Sequence, residues 1–115
     1  MTNFDINNIQ LNIQSHDFEV NDQMQTVIRD QVECLGMIFN GLKSCDMILR
    51  YNNDNRKKVY VVEGKITIPG EMIFTSDHDS NFTIAARRAF DSLHHQLYRF
   101  KETAILSQNE GSNAY

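Results

Sequence analysis

The chain has 115 residues, with 11 Lys and Arg against 15 Asp and Glu, a formal charge of −4 and 41% hydrophobic residues. That length fits one ordinary domain and excludes a two-domain dinucleotide-binding enzyme or a β/α barrel. The apolar share supports a real core and excludes disorder throughout, while the acidic total, taken alone, argues against a nucleic-acid partner.

The first eight residues are expected to be loose. They show no cationic start followed by an apolar run, as a signal peptide would, and no stretch approaches the ~20 apolar residues of a membrane helix. Ile9 to Gln14 alternates apolar and polar, which predicts a half-buried strand. Asn21 then stands where an N-cap belongs, with Asp22 in the first turn. Met24, Val27, Ile28, Val32, Leu35 and Phe39 follow at helical spacing, predicting a helix of about 17 residues that ends near Asn40-Gly41. A second strand carries Met47, Leu49 and Tyr51 on one face and Asp46 and Arg50 on the other, and Asn52 to Asn55 read as a turn.

Beyond that turn, Tyr60, Val62, Gly64, Ile66 and Ile68 share one face of a third strand, and Val59, Val61, Glu63, Lys65 and Thr67 share the other. Pro69-Gly70 makes the next turn, and a shorter strand from Glu71 to Thr75 pairs back. The last element is a helix from Ser80 or Asn81 to Lys101 or Glu102, with Phe82, Ala86, Ala89, Leu93, Leu97 and Phe100 as its apolar stripe. Residues 103–115 are expected to be a mobile tail. The order is therefore β-α-β-β-β-α, an α+β domain over residues 9–102. The first two strands should be parallel through a right-handed crossover, the next connections antiparallel hairpins, giving a four-stranded sheet with both helices on one face.

Catalytic readings are weak. Asp77-His78-Asp79 lies where acidic residues suit a helix N-terminus, and no second cluster has the spacing to complete a metal site. The adjacent His94 and His95 point about 100° apart on a helix and cannot chelate one ion together. Cys34 and Cys45 form no CxxC, so two free thiols in a reducing cytosol are the simplest reading, with a Cys34–Cys45 disulfide the lesser alternative. No enzyme activity, metal or cofactor is expected.

The charges are more informative than their sum. Residues 1–49 hold two basic residues, Arg29 and Lys43, against seven acidic ones, whereas residues 50–101 hold nine basic against six acidic. The C-terminal half therefore carries a positive field inside an acidic chain. On the second helix Arg88, Ser92, His95 and Arg99 recur at steps of four, three and four, while Arg87, His94 and Lys101 lie on the opposite flank of its apolar face. Arg56, Lys57, Lys58 and Lys65 form a second basic locus at the hairpin. Such cations suit phosphate neutralisation, with the salt sensitivity of counterion release.

These features together resemble the ribosome hibernation-promoting factor family, also called the ribosome-associated inhibitor or sigma-54 modulation family. The resemblance covers residues 9–102. Ile9 to His16 resembles the family's first strand, Phe18 to Asn21 the lead-in to its first helix, and Asn81 to Lys101 its last helix. In that last helix Ala85, Asp91, Leu93, Gln96, Leu97, Arg99 and Lys101 match the usual pattern without a gap. The chain departs from the family at Thr83 (usually Tyr), at Ser92 (usually basic) and at His95 (often basic). Its first helix carries Gln31, Cys34 and Met37 where several Lys or Arg are common, and Arg87 and Arg88 stand where uncharged or acidic residues are usual.

The resemblance implies a fold similar to double-stranded RNA-binding domains and a cytoplasmic, non-enzymatic inhibitor of translation in stress or stationary phase. Its partner would be the small ribosomal subunit, through rRNA at the messenger and transfer RNA sites, with neither DNA nor membrane involved. It also implies a short form, without the C-terminal domain through which longer members pair ribosomes. The RNA contacts would be Arg87, Arg88, His95, Arg99 and Lys101, supported by Arg56, Lys57, Lys58 and Lys65. The alternative is a diverged protein-interaction module, monomeric or weakly homodimeric. It would use the acidic first helix with exposed Met37, Ile84 and Tyr98, or the outer sheet face at Val59 and Val61.

Overall fold

The computed structural model describes residues 2–54 and 57–112, and the side chains of these other than 54, 57 and 104–112. Its elements are β1 (Thr2–Ile6), β2 (Ile9–His16), α1 (Asp22–Ile38), β3 (Ser44–Asp54), β4 (Lys57–Ile68), β5 (Glu71–Asp79) and α2 (Phe82–Ser112). The strands form one sheet in the order β1-β2-β3-β4-β5. The β2–β3 pair is parallel and the other three are antiparallel, as the crossover and hairpin arguments require.

The sheet has five strands, not four. Residues expected to be loose form β1, whose Thr2, Phe4 and Ile6 alternate toward the partly buried side. Asn7 and Asn8, at φ of 51° and 70°, make a two-residue hairpin loop of the kind that needs positive φ at both positions. Asp5 Oδ1 accepts from the Asn8 amide at 3.2 Å and ties the loop. The alternation of Phe4 and Ile6 ahead of Asn-Asn was the available signal.

Three further boundaries move. Asn52 to Asp54 continue β3 and pair with Val59, Lys58 and Lys57, so they are strand rather than turn, and Asn55 lies outside the described residues. The last strand runs on to Asp79, because Ser76, Asp77 and His78 still pair with Glu63, Val62 and Val61. Helix α2 continues to Ser112, beyond the end expected near Glu102.

Helix starts are set as the sequence indicates. Asn21 Oδ1 accepts from the Met24 amide at 2.8 Å, and Asn81 Oδ1 accepts from the Ile84 amide at 3.1 Å. The core lies between one sheet face and the two helices. Leu11, Ile13, Met47, Leu49, Val62 and Ile66 meet Ile28, Val32 and Leu35 of α1 and Ala85, Ala89, Phe90, Leu93 and Leu97 of α2. Small residues on α2 bring it close to the sheet at the row Met47–Gly64–Thr75. A Cβ on Gly64 would stand 2.9 Å from Met47 Sδ and 3.1 Å from Thr75 Cγ2, while Thr75 Oγ1 donates to the Ala89 carbonyl at 2.9 Å. The outermost strand β5 is tied to α2 a second time, where Gln96 Nε2 donates to the Phe74 carbonyl at 2.8 Å.

Candidate nucleic-acid interface

Helices α1 and α2 lie side by side and run in the same direction. At their C-terminal ends Phe39 and Phe100 pack edge to face at 5.6 Å. At their N-terminal ends Asn21, Gln23, Ser80 and Thr83 line one hollow of about 280 Å³ above Tyr60. Tyr60 belongs to an aromatic cluster with Phe18, Tyr51 and Phe82 that closes this end of the core. The solvent side of the helix pair is thus a single surface with one helix on each half.

The α2 half is cationic. Arg87, Arg88, His95, Arg99 and Lys101 are all exposed on it, as the spacing predicts. Ala85, Phe90, Leu93 and Leu97 bury the opposite face of the same turns and hold the cations outward. Two of the five are partly engaged. Arg88 Nη1 lies 3.3 Å from Asp79 Oδ1, which fastens the start of α2 to the end of β5. Lys101 Nζ donates to the Ile38 carbonyl at 3.0 Å, so its ammonium sits at the negative end of α1. Arg87 and Arg99 enter no ion pair among the described residues.

The hairpin cations divide. Lys58 is exposed where β4 begins, at the end of the sheet from which α2 starts, since Tyr60 pairs with Asp79. Lys57 pairs through its backbone with Asp54, and Arg56 lies outside the described residues. Lys65 is on the other face of the sheet, away from both helices, where its Nζ stands 3.8 Å from Asp46 Oδ2. That outer face also carries the Arg50–Glu63 pair at 3.1 Å. Its shallow groove, lined by Ile48, Lys65 and Phe74, holds matched charges rather than a cationic field.

The α1 half is acidic, with Asp22, Asp30 and Glu33 exposed together with Cys34 and Met37. Its basic residue Arg29 has its guanidinium 4.8 Å from the centre of the Phe4 ring, a cation–π contact that commits it to β1. The role of Lys101 at the end of α1 and the hold of Phe4 on Arg29 were not legible in spacing, because both join elements distant in sequence. His94 is half-buried, and burial holds its pKa below the usual histidine value, against a weaker opposing pull from Asp91. Cys45 is buried, and burial first, then Asp46, pushes its thiol up to about 12. Cys34 and Cys45 are free, and among the described residues no group of three or more His, Cys, Asp or Glu could hold a metal ion. Among the same residues no helix is long and apolar enough to cross a membrane.

Fold and surface together define a small α+β domain with one sheet, one helical layer and a cationic second helix. Solved structures share this fold. A ribosomal subunit interface protein from Coxiella burnetii aligns with a TM-score of 0.68 over 80% of this chain and 97% of its own, at 13% identity. The N-terminal domain of Thermus thermophilus Protein Y aligns with a TM-score of 0.69 over 77% of this chain and 94% of its own, at 20% identity. No curated protein matches the chain. The family model described as "Sigma 54 modulation protein / S30EA ribosomal protein" matches residues 11–104, and the chain belongs to that family.

Proposed function

We propose that this protein is a ribosome-associated inhibitor of translation that binds small-subunit rRNA where messenger and transfer RNA would sit, in stress or stationary phase. The family membership and the ribosomal names of its structural neighbours support a ribosomal partner. The observation that carries the RNA reading is the exposed row Arg88, His95 and Arg99, with Arg87 exposed on the other flank, all held on one helix and backed by the core. A row of this kind suits the mode of double-stranded RNA-binding domains, in which phosphates and shape are read rather than base edges. Lys58 extends the row at the start of α2, with Arg56 and Lys57 beside it in sequence. Lys101 is chiefly the cation of the α1 terminus, and Lys65 faces away.

With three arginine contacts, log K should fall against log salt with a slope of about −2 to −3. Sedimentation with small subunits across a KCl series tests this, using wild type and Arg87→Glu with Arg99→Glu. Binding at low salt that the double variant abolishes is the expected result. No co-sedimentation at low salt, or binding indifferent to the two substitutions, would overturn the reading.

A further inference from the structure

The helical surface is divided between opposite charges, and the division has a spacing. Asp22 and Glu33 are exposed on α1, Arg88 and Arg99 are exposed on α2, and each pair is eleven residues apart. Eleven residues is close to three turns and about 16 Å of rise, so each pair lies along one stripe of its helix. The helices run parallel and level, with Ile38 and Phe39 beside Lys101 and Phe100.

We propose that this surface docks a second copy of the same chain, α1 of each on α2 of the other, about a two-fold axis parallel to the helices. That operation preserves level along the helices. Asp22 then meets Arg88 and Glu33 meets Arg99, each arginine lying one turn beyond its carboxylate, a distance its side chain spans. Met37, 78% exposed at the end of the α1 stripe, falls level with Tyr98, 51% exposed on α2, a thioether–aromatic contact at the C-terminal end of the two charged pairs. The interface is isologous, so every contact occurs twice. Arg88 keeps donors for a second carboxylate beside Asp79, because a guanidinium carries five N–H groups.

The outer sheet face offers no comparable complementarity across copies, since its charges are already matched within one chain as Asp46–Lys65 and Arg50–Glu63. A basic protein or an RNA would satisfy one half of the helical surface and repel the other; a second copy pairs Asp22 with Arg88 and Glu33 with Arg99, two opposite-charge contacts that outnumber the one like-charge approach, exposed Asp30 level with exposed Asp91. Given the RNA reading above, on which this consequence alone rests, pairing hides the cationic row, so that self-association and RNA binding compete.

Sedimentation equilibrium of the protein alone tests the pairing without any ribosome. Wild type should be dimeric at low salt and dissociate as salt rises. Asp22→Arg with Glu33→Arg, and separately Arg88→Glu with Arg99→Glu, should each weaken self-association by at least about tenfold. An equimolar mixture of the two double variants should restore a dimer, because both of its contacts are again complementary. All four positions are exposed, and melting curves confirm folding. Since Asp22 opens α1, Glu33→Arg alone against Arg99→Glu alone serves as the second pair. Monomeric wild type at low salt, variants that self-associate as wild type does, or a mixture that stays monomeric would each overturn the proposal and leave the RNA reading standing.

Discussion

Lys101 and Arg99 lie two residues apart and share a charge, yet the structure gives them different work. The Lys101 ammonium donates to the Ile38 carbonyl at 3.0 Å, at the C-terminal end of a helix with no basic residue in its own last turn. Replacing it with Met removes one charge-assisted hydrogen bond and one favourable charge–dipole contact. At an exposed site these sum to about 1 kcal/mol. For a domain of this size that lowers Tm by about 3–6 °C. Arg99 has no ion-pair partner among the described residues, so Arg99→Met should shift stability by less than about 0.5 kcal/mol. On the proposed RNA reading its effect belongs to binding, where losing one phosphate contact flattens the salt slope by about 0.7–0.9. Circular dichroism melts and small-subunit sedimentation in a KCl series read the two quantities separately. The reasoning is refuted if Lys101→Met melts with wild type, or if Arg99→Met lowers Tm while leaving the slope unchanged.

Other consequences are equally direct. Native protein should react with a thiol reagent at one equivalent, Cys34, and denatured protein at two, because Cys45 is buried with its thiol pushed up to about 12. Since folding raises that pKa from 9.0, the unfolded chain loses its proton first. The Cys45 contribution is intact below pH 9.0 and lost as pH rises toward about 12, with a slope near 1.4 kcal/mol per pH unit that should be absent from denaturant titrations of Cys45→Ala. Gly64→Ala should cost about 1–3 kcal/mol, read as a lower urea midpoint, because its Cβ would press on Met47 and Thr75 within the core.

The elements that were legible in the sequence are those whose signal is local. Asn21 and Asn81 begin helices through their own side chains, and period-two and helical stripes put Leu49, Val62, Leu35 and Leu93 where the structure buries them. The parallel β2–β3 pair follows from the length of its crossover. What was hidden is relational. β1 gives a weak signal because five residues carry little periodicity, although Asn7-Asn8 encodes its hairpin. The cationic row of α2 was legible, since one helix supplies it, but the separation of Lys65 onto the other face depends on which side of β4 meets the helices. The uses of Lys101 and Arg29 required knowing that Ile38 and Phe4 would be their neighbours.

The bond from Gln96 to the Phe74 carbonyl makes the two rims of the sheet unequal. A rim strand is a template on which foreign strands crystallise into fibrils, and on the β5 side one acceptor of that template is already occupied from below. The other rim is β1, five residues with Asn3 and Asp5 turned to solvent, too short and too polar to seed growth. Both rims are thereby blunted against edge-to-edge pairing, β5 by an engaged acceptor and β1 by its length and polarity.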